Sequence, residues 1–553
     1  MRIATPGPGL VLATAVLTLA ACGGSGAAEL ENGGSPTGDL DGRRPSGVVL
    51  AASGFDVATN GFSFENYGNE AHPLNLDSTS MVTLFGDQVC AGKVKKGGGC
   101  KLVPTAKKWM ASMNDTMGGG HCFGLAGLSW ALYKGQVSPQ KYGAREAAAM
   151  SLDGNKALQA DVAAIFATQS TEPTTSVMKT YAPTDAVREL AAAWQRGDGY
   201  ALGLSNVRNG EQVGGHAVTP VALESLGDGK VGIVLYDNNY PKAPQTMVVD
   251  TVANTWTYST ASNPADDPEA YHGGVDNPLE LWPVTPMLGP QNCPFCSEGS
   301  ATTATGVDGK ERTVKGGSAL NYVYLNQESD AKGVKIAVTD LAGKPIAGAT
   351  AVSPLSGGQQ APPAVLVPKS VAFKVTIDGS ALSKPADTDL SVIGPGYSFA
   401  VDKFTLDPGV VDAVVYDPTR ASLVYLTQVG SAPDVSLTLD GDLTRDSDEA
   451  SYSFVFGGLE LPESGGAIEV ALDQAAQRVT ASSHHSGPSQ IDFVIDKVTA
   501  DSDEQFTSEP IPLEANESLI VEYGSWGGAG TPMPVGIDTD GSGQITERLV
   551  GAD

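Results

Sequence analysis

Six cysteines and six histidines are the scarce reactive side chains of this 553-residue chain, and one pair of them stands in segments suited to chemistry. Cys122 follows Met117-Gly118-Gly119-Gly120-His121 and opens the run Cys122-Phe123-Gly124-Leu125-Ala126-Gly127-Leu128-Ser129-Trp130. Consecutive glycines let backbone bend sharply and approach a ligand closely. Phe123, Ala126 and Trp130 recur at helical spacing, with Leu125, Leu128 and Leu132 beside them, so a helix is expected to start near Cys122. Sulfur at a helix N-terminus meets the positive end of the macrodipole and unpaired N–H groups. Both favour negative charge there and can stabilise an oxyanion beside it. The pattern is that of a thiol nucleophile.

Such a nucleophile needs a base. His216 stands in Gly214-Gly215-His216-Ala217-Val218-Thr219-Pro220-Val221, at the start of a strand-like run. A turn around Gly227-Asp228-Gly229 separates it from a second run, Val231–Tyr236, which leads into Asp237-Asn238-Asn239-Tyr240-Pro241. A hairpin centred near residue 227 sets the beginning of the first strand opposite the end of the second. His216 is then expected to face Asp237 or Asn238, either of which can orient an imidazole and fix its tautomer. Pro220 cannot donate to a ladder and points to an edge or a bulge.

Cysteine parity supports the choice of nucleophile. Cys22, Cys90, Cys100, Cys122, Cys293 and Cys296 are the full set. If Cys22 is modified, five remain, and in an oxidising compartment one is left over. Cys90 and Cys100 flank a Gly/Lys loop and Cys293 and Cys296 bound a C-P-F-C run, so these four are disulfide candidates, paired locally or crosswise. Cys122 is then the odd thiol.

Together these motifs resemble the papain-like cysteine peptidase superfamily, with the YopT-type effector proteases as the nearest branch. The resemblance rests on the glycine-rich turn, Cys-x-Gly-Leu opening a helix, Gly-His-Ala-Val and Tyr-Asp-x-Asn-Tyr-Pro, and covers about 240 residues. It implies Cys122 as nucleophile, His216 as general base and then acid, and Asp237 as the orienting residue, with Asn238 as the alternative third member. Papain carries an oxyanion-hole Gln six residues before its Cys. Thr116 stands there in this chain, and Asn114 is a candidate substitute.

Other groupings carry less. His121 adjoins Cys122, but neighbouring side chains at a helix start diverge, so a structural or substrate-facing role is expected. No Cys/His spacing of zinc type accompanies Cys122, and no cofactor is required for the thiol chemistry. The C-P-F-C run lacks the βαβ surroundings of a redox motif, and a structural disulfide is expected. Asp538-Thr539-Asp540-Gly541-Ser542-Gly543 matches the opening of a calcium loop, with Asp538, Asp540 and Ser542 as candidate ligands. Leu549 stands where the bidentate acid belongs.

The elements that must position the triad follow from pattern. Helical spacing marks Cys122–Lys134, Ala144–Thr168 and Thr184–Gln195. Strand-like runs are Tyr200–Leu204, His216–Leu223, Val231–Tyr236 and Thr246–Val252. Helices first and sheet afterwards predict an α+β papain-like catalytic domain over residues 51–290. Residues 291–318, which include the C-P-F-C run, read as a linker. Beyond it, short alternating runs broken by Gly, Pro, Asp and Asn predict all-β sandwich-like modules at 319–430 and 431–553. With 67 glycines and 35 prolines, a turn-rich β chain is expected.

The N-terminus addresses the chain. Arg2 precedes an apolar stretch, Leu10 to Ala21, of signal-peptide length and too short to span a bilayer. Leu19-Ala20-Ala21-Cys22 resembles the lipobox of bacterial lipoproteins. That implies a signal peptide at residues 1–21, lipid on Cys22, and a flexible tether at 22–50. Acidic residues outnumber basic ones 63 to 34, a formal charge of -29, and no basic stripe is present, so nucleic acid is not expected as a partner. The expectation is an extracytoplasmic, lipid-anchored cysteine hydrolase acting on a peptide or protein through a Cys-His-Asp triad and a thioacyl-enzyme. The alternatives are a peptidoglycan amidase or endopeptidase of NlpC type, and a non-catalytic surface-binding lipoprotein.

Overall fold

In a computed structural model the described residues are 40–44, 46–208, 211–241, 243–259, 270–327, 334–352, 355, 364–440 and 450–549. The leader, Cys22 and most of the tether lie outside them. Strand outweighs helix, 39% to 20%, and the long helices all precede residue 200.

The first helix, α1 (Ser78–Phe85), starts at Asp77, whose carboxylate accepts from the Thr79 and Ser80 N–H groups. The second, α2 (Pro104–Thr116), has proline at its first position, where no N–H is needed. The third, α3 (Cys122–Tyr133), is apolar on every side and buried along all but its last residue, as befits a central helix. Gly120, at φ 126°, makes the turn into it, a conformation that L side chains avoid. The fourth, α4 (Lys156–Ala167), is capped by Asn155 and crosses α3 very closely. A Cβ on Gly124 would fall 2.1 Å from the Val162 carbonyl oxygen, so glycine is what admits this contact. The fifth, α5 (Pro183–Arg196), begins at proline and ends at Gly197 in the left-handed conformation.

A nine-stranded antiparallel sheet follows. In chain order its strands are β1 (Val48–Ala52), β2 (Lys179–Tyr181), β3 (Tyr200–Arg208), β4 (Glu211–Gly227) and β5 (Lys230–Tyr236). They continue as β6 (Gln245–Asp250), β7 (Thr255–Tyr258), β8 (Tyr271–Gly273) and β9 (Leu279–Pro283). The spatial order is β2-β9-β3-β4-β5-β6-β7-β8, with β1 on β4. β4 and β5 form the hairpin expected around residue 227, with Gly227, Asp228 and Gly229 all at positive φ. A bulge after Pro220 absorbs its missing N–H. β4 is central in the sheet, so the bulge alternative applies to Pro220 and the edge alternative does not.

Residues 291–318 are structured. Cys293 and Cys296 are bonded, and Ala301–Thr305 pairs with Glu311–Lys315 in a hairpin against α1. Beyond them two large antiparallel sheets enclose one apolar core running from Val323 to Ile537. Both sheets continue across residue 430, through the pairs Tyr397↔Leu439 in one and Leu423↔Val470 in the other. The helical part and the β-rich part also share a core. Tyr322, Tyr324, Ala364 and Ile393 belong to the same buried cluster as Phe85, Trp109 and Phe295. Lys108 Nζ meets Asp402 Oδ1 at 3.0 Å across that boundary. Among the described residues no helix is long and apolar enough to cross a membrane.

Candidate active site

Cys122 is the first residue of α3 and is unbridged, while Cys90–Cys100 and Cys293–Cys296 form the two local disulfides. Of the local and crosswise pairings left open by the sequence, the local one is present. β4 pairs with β3 through Leu204↔His216 and Gly203↔Ala217 and packs against α3. There the Ala217 N–H donates to Cys122 Sγ at 3.2 Å. Asn238, just beyond β5, donates its amide to the Cys122 carbonyl at 3.1 Å and to the Ala217 carbonyl at 2.9 Å. One side chain thus ties the helix start to the strand.

His216 Nε2 lies 2.6 Å from Asp237 Oδ1. Nδ1 is buried with no hydrogen-bond partner among the described residues, and Cys122 is near enough to help raise the ring's pKa. The imidazole therefore has Nε2 committed to the carboxylate and Nδ1 left open. Asp237 is held in turn: Oδ1 accepts from the Asn239 N–H at 2.8 Å, and Oδ2 accepts from the Tyr258 hydroxyl. Cys122 and His216 are 0% exposed and Asp237 is 1% exposed, so each polar contact acts in a dry, weakly screening environment.

Burial works against a charged His216. The Asp237 charge, the hydrogen bond with Asp237 and the neighbouring Cys122 outweigh it and hold the imidazole well above its ordinary range. For Asp237 burial again works against charge. The His216 charge, with hydrogen bonds from His216, Tyr258 and the Asn239 N–H, holds the carboxyl below its ordinary value. The arrangement can take a proton from sulfur, keep it on the ring, and stabilise the resulting charges.

The remaining sequence candidates fall elsewhere. Asn114 accepts from the Leu76 N–H at 2.9 Å and donates to the Leu76 carbonyl at 3.0 Å, so both ends of its amide are committed away from the sulfur. Asn238 serves the backbone of Cys122 and makes no hydrogen bond to the His216 ring. His121 stacks on Tyr67 with ring centroids 4.2 Å apart, and its Nδ1 lies 2.7 Å from the Tyr67 carbonyl. Burial pushes its pKa down to about 4, which leaves a neutral, structural ring. Asp538 accepts N–H groups from Asp540, Ser542 and Gly543 of its own loop, and Leu549 packs on the β core. Among the described residues no cluster of three His, Cys, Asp or Glu forms a metal-ligand set.

Two residues escaped the sequence reading. Tyr258 orients Asp237 from β7, and nothing in its local pattern marks it. Asn66 accepts from the His121 N–H at 2.7 Å, and its own N–H donates to the Asn238 carbonyl at 2.7 Å, which links three segments around Cys122. Its one signal is a polar residue amid Phe64, Tyr67 and Gly68, which many loops share. No family model, curated protein or solved structure matches this chain.

Proposed function

We propose that this chain is a papain-like cysteine hydrolase that cleaves peptide or related amide bonds on the extracytoplasmic side of a bacterial membrane. The observation that carries the reading is the His216 ring held by a carboxylate at 2.6 Å, next to the Ala217 N–H that donates to an unbridged sulfur. His216 Nδ1 takes the Cys122 proton, and sulfur attacks the substrate carbonyl carbon. The oxyanion is met by N–H groups at the start of α3, which have no partners within the helix. As the C–N bond breaks, His216 returns the proton to the leaving amine and a thioester remains. Water, deprotonated by the same nitrogen, then attacks the thioester and releases the acid and the free thiol. Asp237 keeps Nδ1 aimed at sulfur and stabilises the ring while it is charged. No cofactor enters these steps.

Two local disulfides and the lipobox at Cys22 support an oxidising, envelope location with lipid as the anchor. The ligands of this reading are a peptide or protein substrate and the membrane. Calcium at Asp538, Asp540 and Ser542 would be a structural accessory. The complete enclosure of Cys122 favours, as the second reading, a surface-binding protein whose triad is silent. A peptidyl electrophile added to the mature protein separates the two. Labelling that disappears in Cys122→Ala supports hydrolysis, and labelling that persists in that variant sinks it. An acyl acceptor other than water would appear as transfer product in the same assay with a peptide ester.

A further inference from the structure

In the β-rich part, strand ends and turns of both sheets enclose a cavity of about 760 Å³. Tyr397 and Phe399 reach it from the strand Tyr397–Leu406 of one sheet, and Tyr416 from the strand Val411–Asp417 of the other. Its volume falls within the roughly 300–1,000 Å³ of small-molecule sites. None of its lining residues belongs to the site around Cys122.

The inner wall is aromatic. Phe399 and Tyr416 are buried, with ring centroids 5.6 Å apart. Tyr397 is half-buried and lies nearly parallel to Tyr416, at 6.1 Å with 20° between the planes. Two features hold the Tyr397 ring in place. Its hydroxyl donates to Asn321 Oδ1 at 2.6 Å. Its far edge lies over Gly394, the cross-strand partner of Tyr397, where a Cβ would fall 2.3 Å from Tyr397 Cζ. Asn321 is 0% exposed, and its Nδ2 has no hydrogen-bond partner among the described residues. Strand alternation puts Asn321 on the inward face with Val323, as it puts Tyr397 with Phe399. A buried NH2 group without a partner is costly for a fold to keep. This one stands directly behind the aromatic wall.

The mouth is polar, and its charges are already matched. Arg420 meets Glu469 Oε1 at 3.1 Å, and Lys369 pairs with Glu298. Asp473 accepts the Ala476 N–H at 2.9 Å. Ser370, Thr419 and Gln474 add groups that both donate and accept. A cation already paired has little charge to offer an anion, yet its remaining N–H groups stay fixed as donors. Ala421, next to Arg420, has φ 44°, a conformation uncommon for a residue with a side chain, and its carbonyl accepts from the Leu472 N–H at 3.0 Å. The turn that carries Arg420 is thus held against local backbone preference.

We propose that this cavity is a binding site for a neutral saccharide. A sugar ring has a flat face of C–H groups and a rim of hydroxyls, each both donor and acceptor. Tyr397 offers the flat apolar surface, Asn321 an uncommitted donor behind it, and the mouth a mixed set of donors and acceptors. A peptide is recognised through a free strand edge or deep side-chain pockets. The strands that carry Tyr397 and Tyr416 are each paired on both sides. An anion needs unpaired cations. The inference is independent of the chemistry assigned to Cys122.

The test is isothermal titration calorimetry of the mature full-length chain with chitotetraose, cellotetraose and maltotetraose. Tetra-alanine and a galacturonate tetramer serve as peptide and anionic controls. Saturable binding of at least one neutral tetrasaccharide is expected, with neither control binding. Tyr397→Ala should weaken that binding about tenfold or more, as loss of a central aromatic anchor does. Arg420 and Gln474 are exposed, so Arg420→Ala and Gln474→Ala keep the test open should Tyr397→Ala fail to fold. Each should weaken binding about threefold or more. Absence of binding by all three saccharides, or affinity unchanged in Tyr397→Ala and both mouth variants, would overturn the proposal. Binding of either control with the same sensitivity to these variants would overturn it too.

Discussion

Asp237 grips His216 through Nε2 at 2.6 Å and so leaves Nδ1 as the open nitrogen of the ring. A neutral ring has one N–H and one acceptor nitrogen. A carboxylate at Nε2 takes the N–H, which leaves Nδ1 able to receive the thiol proton. Replacing Asp237 with Asn reverses that preference when the amide presents its NH2 group. The expected loss is about 10³–10⁴-fold in kcat, by analogy with the serine triads, with KM for a peptide ester little changed. Steady-state kinetics of Asp237→Asn beside the wild type measures it.

The alkaline side of the pH–rate profile should move with Asp237. Its negative charge favours the protonated ring, and His216 sits well above the ordinary imidazole value. Activity that depends on the thiolate–imidazolium pair therefore persists above that value and falls as pH rises through the raised pKa. Asp237→Asn removes the charge, so the alkaline limb should shift toward acid. An unshifted limb in the labelling rate of Cys122 would show that His216 does not govern the sulfur.

Tyr258→Phe tests positioning without touching the reacting atoms. The variant loses the hydroxyl that donates to Asp237 Oδ2 and keeps the ring in its core. The carboxylate loses one of two fixed supports, and kcat should drop about tenfold, the equivalent of roughly 1.4 kcal/mol, with thermal stability nearly preserved. A loss of Tm without a loss of kcat would assign Tyr258 to packing alone.

Gly124 allows α3 and α4 to meet. A methyl group there would collide with the Val162 carbonyl, a backbone atom that cannot rotate away. Gly124→Ala should destabilise the fold by about 1–3 kcal/mol, read as a fall in Tm. Because Gly124 lies two residues after Cys122, the labelling rate of Cys122 should fall with it.

Glu280 should leave a mark on stability against pH. Burial raises its pKa from 4.5 to about 8 in the folded chain. A group whose folded pKa is raised contributes fully below its unfolded value, and that contribution is lost as pH climbs from about 4.5 to about 8. Glu280→Gln carries no such titration. Its Tm should therefore decline less steeply than the wild type across this window, and identical slopes would refute the assignment.

The proximity of Cys122, His216 and Asp237 was legible because each residue carries a local signal. Cys122 has its glycines and its odd parity, and His216 and Asp237 are related by counting along a hairpin. Asn114 was misplaced because the position of an oxyanion donor depends on the loop path before the helix. Here that path turns Asn114 toward Leu76. Tyr258 reaches Asp237 only through the order of β5, β6 and β7, which alternating patterns do not encode. The β-rich half was legible as strand, but pairings such as Tyr397↔Leu439 join segments separated by intervening strands of the other sheet.

The apolar cluster that unites Phe85, Trp109 and Phe295 with Tyr322, Tyr324 and Ile393 has a mechanical corollary. A cut in the backbone between the two halves would not set them free, since separation would wet the aromatic rings on both sides. Such a nicked chain should still migrate as one particle on gel filtration, and a pull on either half would be borne by the entire body.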